Sequence, residues 1–81
     1  MVHPIPAREE DTLPLPRQEL IRLRTATGLS QQDMARVIGI SRNALVHAEN
    51  GERVKLFTAR KMSAHYKRTI PELFPDLLED L

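Results

Sequence analysis

Gln31-Gln32-Asp33-Met34-Ala35-Arg36-Val37-Ile38-Gly39-Ile40-Ser41-Arg42-Asn43-Ala44-Leu45-Val46-His47-Ala48-Glu49 is the stretch whose reading decides the fold. It reads as two short helices joined by a tight turn. Ala35 is small where two helices must cross closely, Gly39 permits the turn, and Ile40 and Leu45 are apolar where the second helix faces the first. Ser41 is placed to cap the second helix. Ser30 does the same for the first, with Asp33 three residues on at the spacing of an approximate capping box.

Working outward, the three glycines, Gly28, Gly39 and Gly51, each follow a helix-like stretch and suit left-handed C-terminal caps. This punctuation predicts helices at about 17–27, 31–38, 42–50 and 56–66. Thr69 and Glu72 have the spacing of a capping box with Pro71 in the first turn, which predicts a fifth, short helix near 70–74. No strand pattern competes, so the chain is expected to be all-α, with four to five helices. Leu20, Leu23, Leu29, Met34, Ala35, Ile38, Ile40, Leu45, Ala48, Leu56, Ala59, Met62, Tyr66 and Leu73 recur at three- and four-residue spacings and form the candidate core.

With 81 residues the chain suits one domain. It has no cysteine, so neither a disulfide nor a thiolate metal site is available, and packing alone must hold the fold. No apolar run is long enough for a bilayer, and MVHPIPAREED lacks the pattern of a secretory signal, so a cytoplasmic location is expected. Residues 1–16 hold four of the six prolines and read as an extended or disordered arm with net charge −2. Residues 17–74 form the folded body and carry eleven Lys and Arg against five acids, and residues 75–81 are an acidic, apolar-striped tail of net charge −3. A basic body between acidic ends suits a polyanionic partner.

In the second helix of the pair, residues 45, 48 and 49 point inward, which leaves 42, 43, 46 and 47 on the other face. The ordered set Leu23-Arg24, Gly28-Leu29-Ser30-Gln31, Met34-Ala35, Gly39-Ile40-Ser41, Leu45, Glu49-x-Gly51 and Glu72-Leu73-Phe74 resembles the lambda-repressor-like (Cro/Xre-type) helix-turn-helix proteins. The resemblance covers roughly residues 17–74. Met34 and Leu45 stand where the family often has Leu and Ile, and Ala59 is smaller than its usual Leu, which suggests a repacked core. The resemblance implies double-stranded DNA as partner, with the second helix in the major groove and Arg42 and Asn43 at base edges. Arg matches guanine O6 and N7, and Asn matches adenine N6 and N7. Val46 and His47 lie one turn on, within reach of a thymine methyl or a further base, and Ser41 stands at the helix start. The resemblance also implies a phosphate contact from Gln31 and a structural ion pair between Arg24 and Glu49. Arg53 and Lys55, in the loop after the recognition helix, and Arg36 are candidate backbone contacts.

Other chemistry finds little support. His3, His47 and His65 lack the partners a zinc site needs, so no metal or cofactor is expected. Ser41, His47 and Asp33 have no nucleophile turn or oxyanion pocket beside them, so an enzyme is not expected. Ile70, Leu73, Phe74, Leu77, Leu78 and Leu81 make an apolar stripe that either folds back on the core or packs against a second subunit. The second option gives a homodimer with Phe74, Leu77, Leu78 and Leu81 as contacts, acting as a repressor on a pseudo-palindromic operator. The competing expectation is an antitoxin or co-regulator whose main partner is a protein such as a toxin.

Overall fold

The computed structural model describes residues 15–80, the side chains of residues 78–80 excepted. The proline-rich arm as far as Pro14, the Leu78 side chain and Leu81 therefore lie outside the described residues; Leu15 and Pro16 are exposed and in no regular element.

Five α-helices follow in order: α1 Gln18–Thr27, α2 Gln31–Ile38, α3 Arg42–Glu49, α4 Leu56–Tyr66 and α5 Ile70–Leu73, with a closing 3-10 segment Pro75–Asp80. Among the described residues there is no strand. Local chemistry explains most boundaries. The Ser30 and Ser41 hydroxyls accept from the main-chain N–H of Asp33 (3.1 Å) and Ala44 (3.0 Å), satisfying donors that a helix start leaves free. Asp33 does not close the box from the other side; its carboxylate makes a long pair with Arg36 at 3.8 Å. Thr69 and Glu72 do form the full reciprocal box at the start of α5. α2 ends at Gly39, whose φ of 92° is left-handed and turns the chain within two residues into α3. α4 ends on Lys67 at φ 58°, the one left-handed position among the described residues without a glycine.

The helices close around Leu20, Met34, Ala35, Leu45, Ala48, Ala59, Met62, Leu73 and Phe74, all essentially inaccessible to water. α2 packs on α3, α1 on α3 and α5, and α4 on α2 and α5, so α3 is held from two sides while its outer face stays open. Leu23, Leu29, Ile38, Ile40, Val54, Tyr66, Ile70 and Leu77 form a partly buried ring around that core.

Two expectations about apolar residues need correction. Leu56, expected in the core, is 54% exposed. The buried face of α4 is Thr58, Ala59 and Met62; at about 100° of rotation per residue, Leu56 falls roughly a quarter turn outside it and Phe57 nearly opposite. Phe74, expected at a dimer contact, is fully buried in this chain's own core under the Arg17 guanidinium, 4.8 Å from the ring centre, and has no surface to offer a second subunit.

Arg17 carries the largest surprise. Its side chain is 4% exposed and fully engaged: Nε and Nη2 donate to the two Asp76 oxygens at 2.9 and 2.6 Å, and Nη1 donates to the carbonyls of Ala48 and Glu52 at 2.8 and 2.9 Å. Its main-chain N–H donates to the Glu49 carbonyl at 2.9 Å. A single guanidinium thus joins the start of α1, the end of α3 and the segment after α5. The bidentate fork holds the Asp76 carboxyl below the usual aspartate range.

Candidate nucleic-acid interface

The surface around α3 is built from its anchor outward. Leu45, Ala48 and Glu49 face the body and are buried. Glu49 is a carboxylate at 2% exposure, and its position is fixed by three donors: Arg24 Nε at 2.7 Å, Arg24 Nη2 at 3.2 Å and Gln31 Nε2 at 2.9 Å. Arg24 also donates to the Leu29 carbonyl at 3.0 Å, so one cation ties α1 to the turn before α2 and to the end of α3. A charge buried this far is tolerable only when paired and hydrogen-bonded.

That requirement engages Gln31, expected at a phosphate, in a second role. Its side-chain amide Nε2 donates to Glu49, which needs a further donor, and one Nε2 hydrogen is thereby committed to the body.

The opposite side of α3 is open. Ser41, Arg42, Asn43 and His47 are exposed and Val46 is half-buried. The Ser41 oxygen is occupied as the helix cap, which leaves its O–H as a donor. One His47 ring nitrogen, Nδ1, is paired with Glu52, while Nε2 makes no hydrogen bond to another described residue. Arg42 and Asn43, in the first turn, make no side-chain hydrogen bond to another described residue.

An open groove of about 570 Å³ runs beside this helix and is lined by Asn43, His47, Arg53, Val54, Lys55 and Phe57, among others. The fold thereby brings the helix start and the two loop cations onto one surface. Arg36 does not line it; exposed on α2, it sits near Asp33. Phe57, 61% exposed, carries the Lys61 ammonium 4.7 Å from its ring centre, and Lys61 also donates to the Gly39 carbonyl at 3.0 Å. Neither residue was singled out for this surface on sequence grounds. A phenylalanine directly before the inward Thr58-Ala59 pair is the signal that could have found it.

Among the described residues no group of His, Asp and Glu side chains is placed to hold a metal ion, and no helix is long and apolar enough to cross a membrane. Side chains that are exposed, donor-rich and mounted on a rigid short helix are suited to recognising an extended polar partner, and two adjacent cations add affinity for phosphate.

The comparison with protein families agrees with this geometry. Residues 20–73, more than half of the chain, match the family model described as helix-turn-helix, and the chain belongs to that family, of the Cro/C1, Xre-like type. It is a DNA-binding helix-turn-helix regulator with a lambda-repressor-like, all-helical fold. No curated protein and no solved structure matches the chain.

Proposed function

We propose that the chain is a dimeric transcriptional repressor that reads the major groove of a pseudo-palindromic operator with α3. The observation that carries this reading is the exposed first turn of α3: Arg42 and Asn43 stand clear of the body while Leu45, Ala48 and Glu49 lock the same helix from behind. An exposed guanidinium and carboxamide side by side are matched to guanine and adenine edges, each good bidentate contact giving about 1–3 kcal/mol of discrimination. Ser41, Val46 and His47 extend the base-facing surface. Arg53 and Lys55 supply phosphate contacts on the neighbouring loop, Arg36 a more distant one, and Gln31 contributes through its main-chain N–H at the start of α2.

Dimerisation uses the C-terminal stripe without Phe74. Leu77 is half-buried against its own core, so contacts to a second subunit fall to its exposed part, Leu78 and Leu81. Two such subunits place their recognition helices about one helical turn of DNA apart.

The test is a footprint of the full-length protein on the DNA upstream of its own gene, followed by binding isotherms at several salt concentrations. Arg42→Ala and Asn43→Ala should each lower specific affinity by about 5- to 150-fold while barely changing non-specific binding, and Lys55→Ala should reduce the salt slope by about one. Unchanged sequence preference in both α3 variants would refute the base-reading assignment. Sedimentation showing a monomer with and without DNA would refute the dimer.

A further inference from the structure

The groove beside α3 holds more apolar surface than a phosphate contact uses. Phe57, which lines it, is 61% exposed, and Val54 beside it is partly buried. Arg53 and Lys55 line it as well, Lys61 lies over the Phe57 ring, and among the described residues its lining holds no acid, Glu52 being paired with the lining His47. A partly apolar, cationic groove fits a short acidic segment with apolar side chains.

Such a segment lies in the same chain. At least fourteen residues precede Leu15, among them Glu9, Glu10 and Asp11, with Val2, Ile5 and Leu13 as apolar positions. Their point of attachment lies against Gly51, two residues before the groove-lining Arg53. The Leu15 carbonyl lies so close to Gly51 that a Cβ added there would come within 1.8 Å of its oxygen, and Arg53 and Lys55 follow Gly51 by two and four residues. Asp11 precedes Leu15 by four, which bounds its distance from that junction at about 14 Å. The acids and the cations are therefore tethered within a few residues of one shared point, where effective concentrations reach the millimolar range.

We infer that the groove lined by Val54, Lys55 and Phe57 is a docking site for this chain's own N-terminal segment, Glu9 to Asp11 facing Arg53 and Lys55, and that DNA must displace it. The docking is independent of the functional reading; the competition with DNA rests on it, since phosphates and the three acids seek the same cations.

The chain has no cysteine, so Ala7→Cys gives a single site for a nitroxide label on the full-length protein. Amide signals of Val54, Lys55 and Phe57 should be attenuated several-fold more than those of Arg36 or Lys67, and neutralising the acids (Glu9→Gln, Glu10→Gln, Asp11→Asn) should abolish the difference. Attenuation spread evenly, centred on Gln18 and Glu72, or indifferent to neutralisation overturns the docking. Attenuation passing from a labelled chain to an isotopically marked unlabelled one assigns the groove to a second copy and also overturns it. The neutralised protein should bind operator on the order of tenfold tighter at low salt, a gain that fades as salt rises. Equal affinity overturns the competition; if neither protein binds any DNA, the functional reading fails while the attenuation pattern still decides the docking.

Discussion

Replacing Glu49 by alanine tests the framework that holds α3. The substitution removes the acceptor of three short hydrogen bonds and leaves the Arg24 guanidinium, 15% exposed, with only the Leu29 carbonyl. Breaking a buried pair from one side costs about 3–5 kcal/mol because the remaining charge is stranded. A chain of this length has about 4–12 kcal/mol of total stability, so the loss is a large share of it. At about 4–8 °C per kcal/mol for a small domain, the Tm should fall by about 12–40 °C. The assay is a far-ultraviolet circular dichroism melt of Glu49→Ala beside Arg42→Ala. The exposed Arg42 should shift the Tm by no more than about 4 °C, since surface changes stay within about 0.5 kcal/mol. Removing both charges, as Arg24→Met with Glu49→Leu, should recover most of the loss, because an apolar replacement avoids the desolvation penalty. A drop under about 5 °C for Glu49→Ala, or an equal drop for Arg42→Ala, would refute the division of α3 into a supporting and a reading face.

Three further substitutions probe single features. Tyr66→Phe should stabilise the protein by about 1 kcal/mol in urea titration, because the phenol oxygen is buried without a partner among the described residues. Burial and the nearby Glu49 push its pKa up to about 12, so the wild-type protein keeps the phenol's contribution below about pH 10 and loses it as pH rises toward the folded value; the variant should lack that decline. Asp76→Asn should cost about 0.5–1.5 kcal/mol at pH 7, since Arg17 keeps its two carbonyls. The Asp76 pKa is depressed, so the difference between wild type and variant should be full above the ordinary aspartate value and close as pH falls through the folded one. Lys67→Gly should raise stability by about 0.5–1 kcal/mol by relieving the left-handed strain at φ 58°, measured as a higher Tm.

The helix positions were legible because their signals are local. Ser30, Ser41 and Thr69 act on N–H groups three residues away, and Gly39 acts on its own backbone, so a short window of sequence contains both the cause and the effect. The direction in which a side chain points was harder to read. Leu56 has core spacing from Ala59, yet lies beside the buried stripe, and Phe74 belongs to an apolar repeat that is equally consistent with a core or an interface. Arg17 gave no signal at all: its partners are 31 to 59 residues away, and two are main-chain carbonyls that no residue type marks. The pair of Arg24 and Glu49, separated by 25 residues, was approached only through family resemblance. The inward turn of Gln31 followed from a need of Glu49 that appears only once the burial of that carboxylate is known.

The clasp of Arg17 on Asp76 has a consequence for how the molecule opens. Because one side chain spans the first helix and the last described segment, opening at either end removes an anchor of the other. Amide hydrogen exchange at the start of α1 and around Leu77 should therefore share one opening free energy. Trimming the chain before Asp76 would strip both the carboxylate that holds the Arg17 fork and the segment packed on α5, so the first and fifth helices would loosen together.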